Sequence, residues 1–187
     1  VYGGGNQAVT NVTNVYIWVF WSADGYYLVG SFDGYRFTSE TDVLSAYCTG
    51  LPYAAQTYAG VNDRVISVAW NRMENDRGNY RGLMTLPTEL SLQKIEDKYK
   101  ICFNLPKEFA AYRGLSAEIP QKTNCYEAQL AGIPKEILLE YTPQSTGITK
   151  LSIGDTVFVI DFAKGNISVS NAESDTESYE IPFDNLG

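Results

Sequence analysis

The 187-residue chain contains no histidine. That excludes Ser-His-Asp and Cys-His nucleophilic machinery and every His-based zinc site. Cysteine is scarce: Cys48, Cys102 and Cys125 are widely spaced, with no Cys-x-x-Cys. They make neither a metal cluster nor a dense disulfide framework. One disulfide with a thiol left over and three buried free thiols both fit that spacing. Basic residues are also few, 14 Lys and Arg against 22 Asp and Glu, for a net charge of −8. No cluster of Lys and Arg offers a phosphate-binding surface, so nucleic acid is not an expected partner. No apolar run approaches the roughly 18 residues that cross a bilayer, so a membrane is not expected either. The acidic balance suits a soluble or secreted protein acting on neutral ligands.

Hydrophobic residues make up 44% and charged residues 19% of the chain, a globular rather than a disordered balance. The length allows one ordinary domain or two small ones. The chain begins at Val1 without a leader-like segment, as expected of a processed, trimmed or cut-down chain.

The dominant local pattern is β. After a Gly- and Asn-rich opening, residues 15–21 form the longest apolar run and read as a buried strand. Ser22-Ala23-Asp24-Gly25 is a turn, residues 26–31 a second strand, Asp33-Gly34 a turn, and 35–38 a third strand. Such a meander is the unit of a propeller blade. Residues 54–58 pair with 65–70 across Asn62-Asp63-Arg64. Further strands are expected at 83–86, 89–95 and 97–103, with a break at Pro87. Residues 106–112 suit one short helix with Pro106 near its first turn. A second β pattern follows at 125–130, 136–141, 149–153, 156–162 and 167–170, with a turn at Lys164-Gly165-Asn166. That rhythm suits a sandwich. Residues 172–180 read as merely acidic and Ser-rich. Asn11-Val12-Thr13 and Asn166-Ile167-Ser168 match the glycosylation acceptor triplet, which is common by chance.

Three blocks carry more specific information. They are Tyr53-Ala54-Ala55-Gln56-Thr57-Tyr58, Ile66-Ser67-Val68-Ala69-Trp70, and Tyr80-Arg81-Gly82-Leu83-Met84-Thr85-Leu86-Pro87-Thr88-Glu89-Leu90. Upstream lies Gly30-Ser31-Phe32-Asp33-Gly34-Tyr35-Arg36-Phe37. In order and spacing these blocks resemble the late propeller region of glycoside hydrolase family 32, the β-fructosidases. The resemblance is dense from about Trp18 to Leu92 and thinner beyond. It implies an all-β fold: a partial β-propeller, the last blades of a five-bladed ring, followed by a β-sandwich portion. The expected division is 1–104 propeller, 105–122 linker and 123–187 an incomplete sandwich. The implied chemistry is retaining hydrolysis of β-fructofuranosidic bonds by paired carboxylates, without cofactor or metal.

The resemblance also identifies what is missing. The family's nucleophile lies in Trp-x-Asn-Asp-Pro-Asn-Gly, its stabilising Asp in Arg-Asp-Pro and its acid in Glu-Cys. None occurs here, and all three would lie upstream of Val1. No catalytic residue is therefore expected in this chain, and the chain alone is expected to be inactive. Asp24, Asp33, Asp63 and Asp161 sit at or beside turns, where Asp bonds its own backbone. Glu89 matches the family's Pro-Arg-Glu-Leu block, with Thr88 in place of its Arg, and its implied role is structural. The family often has Asp-Tyr-Gly-x-Asp-Phe before the Tyr-Ala-Ala-Gln-Thr block; Tyr47 and Leu51 stand where those carboxylates would be, which leaves sucrose, inulin and levan undecided.

Substrate-binding candidates follow residue by residue. Trp70 matches the tryptophan that lines the floor of the family's sugar site, and an indole offers an apolar face and one donor. A core tryptophan at a strand end is the plain alternative. Tyr53 and Gln56 match the block beside that site; for Gln56 the alternative is a buried amide bonding strand ends. The expected partners are a fructan or sucrose-type carbohydrate, and either the rest of the propeller (in the same polypeptide or a complementary chain) or further copies of this chain. Uncovered blade edges would otherwise be exposed. A non-catalytic carbohydrate-binding protein of the same descent and a purely structural β module are the competing readings.

Overall fold

The computed structural model describes residues 17–61, 63–73, 82–95, 97–114, 136–138, 147–171 and 174–182, with the backbone alone at 171, 174–180 and 182. The opening segment with its acceptor triplet, Cys125, the expected strand at 125–130, most of that at 136–141 and Tyr80-Arg81 of the third block lie outside the described residues.

The fold is all-β, built of antiparallel sheets. The first sheet contains β1 (Trp18–Trp21), β2 (Tyr26–Phe32), β3 (Phe37–Ser39) and β4 (Leu44–Ser45), with β1 and β3 flanking β2 and β4 also on β2. The Asp24-Gly25 signal produces the β1–β2 turn. Gly25 adopts φ +80 and donates its N–H to the Ser22 carbonyl, a conformation that favours glycine. At the next turn Asp33 Oδ1 accepts the N–H groups of Tyr35 (2.8 Å) and Arg36 (2.7 Å). These bonds, that from Arg36 foremost, hold its carboxyl below the usual range.

Strand β1 corrects one expectation: it is half-buried rather than buried. Its register with β2 places Val19 and Trp21 on one face with Tyr27 and Val29, and Trp18 and Phe20 on the other with Leu28 and Gly30. Tyr27 and Val29 are core, whereas Phe20 is 41% exposed. An apolar run in a sheet buries both faces only if both are covered.

The second sheet contains β5 (Pro52–Thr57), β6 (Val65–Asn71), β7 (Leu83–Met84), β8 (Thr88–Ile95) and β9 (Lys98–Asn104), in the order β5-β6-β8-β9 with β7 also on β6. It meets the inner face of the first sheet. The Tyr27 hydroxyl accepts the Ile101 N–H (3.2 Å), and Trp21, Tyr47 and Phe103 form an aromatic cluster with centroids 5.5 to 6.2 Å apart. Burial pushes the Tyr47 hydroxyl up to about 12 and raises that of Tyr27. A Cβ on Gly25 would lie 2.3 Å from the Tyr47 ring, so glycine there also makes room for the ring.

Lys107–Tyr112 is a 3₁₀ helix with Pro106 at its N-cap. The C-terminal part is a meander of β10 (Ile148–Ile153), β11 (Thr156–Asp161), β12 (Asn166–Asn171) and β13 (Ser174–Pro182). The β11–β12 turn is the expected one. Asp161, buried, accepts the N–H groups of Ala163 and Lys164, and Gly165 sits at φ +66. Strand β13 departs from the sequence reading. Its backbone pairs with β12 from Asn166–Pro182 inward, through a register shift at Ser170/Asn171, so the partner strand and not local apolar alternation defines it.

Candidate carbohydrate-binding face

Strand β5 carries a β-bulge. Tyr53 pairs with Trp70, but Gln56 pairs with Val68, so three steps on β5 match two on β6. Residues 68 and 70 share a face by strand alternation, and the bulge therefore brings Tyr53 and Gln56 onto that face together. Without it they would point to opposite sides. The extra residue is accommodated at Ala54, whose φ of +51 is rare for a residue with a Cβ. The Ala54 N–H is held by the Ala23 carbonyl in the β1–β2 turn at 2.8 Å. The first sheet thus fixes the bulge that shapes the second.

The three sequence candidates are brought together. Tyr53 is half-buried, Gln56 is exposed and Trp70 is 38% exposed. Gln56 is not the buried amide that was the alternative reading. Trp70 also faces Met84 across β7. On the opposite face of β6 Ser67 and Ala69 are buried, in register with Thr88 and hydrogen bonded to Thr85 respectively, while the Trp70 face passes from buried Ile66 through half-buried Val68 to exposed Trp70. Of that face, Gln56 and Trp70 are the exposed members and Tyr53 lies half-buried beside Trp70.

Two contributors escaped sequence reasoning. Gly82, at φ +71, lies beneath the Trp70 ring, where a Cβ would approach Nε1 to 2.2 Å. The Arg-Gly-x-Met block held this signal. Arg72 follows β6 on the same face as Trp70. Its guanidinium lies 4.6 Å from the Tyr53 ring centroid, and its Nη2 donates to the Gly50 carbonyl at 2.5 Å. No pattern marked it.

Glu89 faces a different task. Arg64 donates to Glu89 (3.2 Å) and to both oxygens of Glu108, tying β8 and the 3₁₀ helix to the β5–β6 turn. The Arg64 hydrogen bond holds Glu108 down to about 2 and raises Arg64. Arg113 and Glu136 form a second two-bond pair (2.6 and 2.8 Å).

Among the described residues no three His, Cys, Asp or Glu groups gather as a metal site, and no helix is long and apolar enough to cross a membrane. Cys48 and Cys102 are free thiols, and Cys48 is exposed rather than buried. What the face offers is two aromatic rings, an amide and a guanidinium, a set that binds neutral polar ligands by stacking and hydrogen bonding.

Residues 9–103 match the family model described as the glycosyl hydrolases family 32 N-terminal domain. Similar solved structures include an exo-inulinase from Aspergillus awamori, with TM-score 0.57 and 16% identity over 92% of this chain and 42% of that one. A Bombyx mori GH32 beta-fructofuranosidase gives TM-score 0.52 and 13% identity over 96% of this chain and 42% of that one. A mutant of that silkworm enzyme in complex with sucrose gives TM-score 0.50, 13% identity and the same coverage. The chain thus spans less than half the length of these structures. No curated protein matches it by sequence.

Proposed function

Since the chain belongs to glycosyl hydrolase family 32, we propose that it supplies scaffold and one pocket wall for a β-fructosidase. The carrying observation is the bulge in β5, which gathers Tyr53, Gln56 and Trp70 on one side, with Gln56 and Trp70 exposed. In this reading Trp70 and Tyr53 stack against a fructosyl unit and Gln56 bonds its hydroxyls. The catalytic carboxylates come from elsewhere in the full protein, which also covers the open sheet faces. The division into 1–104 propeller, 105–122 linker and 123–187 sandwich portion belongs to the same proposal.

The test is hydrolysis of sucrose, inulin and levan by the full-length gene product and by this chain alone. Turnover by the whole and none by the chain is the expected result. Turnover by the chain alone refutes the division of labour.

One observation favours a second reading, a non-catalytic carbohydrate-binding protein. Tyr47 and Leu51 stand where the resemblance places carboxylates, and Tyr47 is committed to the Trp21–Phe103 cluster. Fructan binding without turnover by the full-length product would establish it.

A further inference from the structure

We propose that Arg72 is a positioning residue for carbohydrate: it braces the Tyr53 ring so that Tyr53 and Trp70 present one stacking surface to a neutral fructosyl unit. The proposal rests on the reading of this face as a pocket wall.

Arg72 is fastened at three points. Its backbone N–H donates to the Leu51 carbonyl (2.9 Å), its Nη2 to the Gly50 carbonyl (2.5 Å), and its guanidinium carbon lies 4.6 Å from the Tyr53 centroid. These contacts join the end of β6 to the 50–51 segment that leads into β5. The ring of Tyr53 therefore sits beside Trp70, its cross-strand partner, and against Arg72 two residues further on. A planar guanidinium suits this place because it stacks on a ring while donating in its own plane. Elsewhere, Arg64 and Arg113 spend their donors on carboxylates. Arg72 is exposed and forms no ion pair with a described carboxylate. A guanidinium has five N–H donors, and one is engaged by Gly50. Among the described residues no other acceptor takes its remaining side-chain donors, and in this proposal they bond the hydroxyl oxygens of a sugar lying on the two rings. A ring held in place before the ligand arrives loses less freedom on binding.

The experiment uses Arg72→Ala and Arg72→Lys in the full-length protein, with two readouts. The first is tyrosine-labelled NMR of the ligand-free protein, with Tyr53 assigned by Tyr53→Phe. The second is titration and kinetics with inulin- and levan-type oligosaccharides. Arg72→Ala should move the Tyr53 signal and weaken binding about five- to twentyfold through KM, with kcat and melting temperature little changed. Arg72→Lys should fail to restore either, because an ammonium keeps the charge but not the plane. An unmoved Tyr53 signal overturns the brace, as does unchanged KM. Full rescue by Lys overturns the planar role in favour of charge alone. Wild-type protein that binds neither fructan, with Tyr53 still shifted by Arg72→Ala, refutes the pocket-wall reading and leaves the brace standing.

Discussion

Gly82 is held against the Trp70 indole so closely that a Cβ at position 82 would lie 2.2 Å from Trp70 Nε1 and 2.4 Å from the Asn71 carbonyl oxygen. The backbone there also adopts φ +71, which L side chains rarely take. Gly82→Ala therefore meets two penalties, backbone strain and displacement of the ring. The expected loss is about 2 kcal/mol or more. It should appear as a lower denaturation midpoint together with changed Trp emission. A variant with wild-type stability and emission would show that the ring does not rest on residue 82.

Trp70 itself separates a surface role from a core role. Phe or Trp to Ala in a core costs about 3–5 kcal/mol. Trp70 is 38% exposed, so Trp70→Ala should cost less, about 1–2 kcal/mol on that scale. If the ring contacts sugar, fructan affinity should fall well beyond what the stability loss accounts for. Calorimetric titration beside urea unfolding measures both. A loss of stability with unchanged affinity would assign Trp70 to the scaffold alone.

The Arg64–Glu108 contact makes a pH prediction. Glu108 is held near 2 in the folded protein against an ordinary 4.5. Its folded pKa is depressed, so its stabilising contribution is present above about 4.5 and is lost as pH falls from there toward 2. Arg64→Ala should flatten that part of the acid limb and lower the melting temperature at neutral pH. Melting curves from pH 2 to 7 on both proteins test this. Parallel acid limbs would show that other carboxylates dominate.

The alkaline side runs the other way. The Tyr47 hydroxyl is raised from 10 to about 12 by burial between Trp21 and Phe103. The unfolded chain loses this proton first, so the contribution is complete below pH 10 and fades as pH rises toward 12. Ultraviolet titration of phenolate should show a late-titrating tyrosine that Tyr47→Phe removes. Tyr47→Asp, which restores the carboxylate implied by the resemblance, should destabilise by about 2–4 kcal/mol, through a lost ring and a half-buried charge. An unperturbed Tyr47 would place it outside the cluster.

Much of the fold was legible because its signals are local. Asp33-Gly34, Asp24-Gly25 and Lys164-Gly165-Asn166 demand turns through backbone preferences, and the strands between them follow. The pairing of β5 with β6 was legible for the same reason. The bulge was not. It depends on an Ala at positive φ and a bond from Ala54 to Ala23, and no propensity announces either. Yet the bulge is what places Tyr53 and Gln56 on one side, so the site's candidates were readable by resemblance while their arrangement was not. Arg72 was invisible because an exposed arginine after a strand has no distinctive pattern. Its meaning comes only from the Tyr53 ring across the sheet.

The outer face of the first sheet carries the last prediction. Trp18 packs edge-on to Phe32 and Phe20 against Phe37, at 5.4 and 5.7 Å between centroids. Phe20 and Phe32 remain 41% and 37% exposed, and Tyr26 is 53% exposed. Strand register aligns Trp18, Phe20, Leu28 and Phe32 on this one side, away from Tyr27 and Val29. Contiguous aromatic surface of this kind is a binding or aggregation surface in water. In a closed propeller a neighbouring blade would cover it. The 187-residue chain on its own should therefore self-associate or bind a hydrophobic dye, and Phe20→Lys should shift it toward monomer. The same substitution in the full-length protein should lower stability, because there the position would face a packed neighbour and not water. Analytical ultracentrifugation of the chain and melting curves of the whole protein measure the two effects. A monodisperse monomer that binds no dye, and a full-length Phe20→Lys variant of unchanged stability, would show that this face needs no cover.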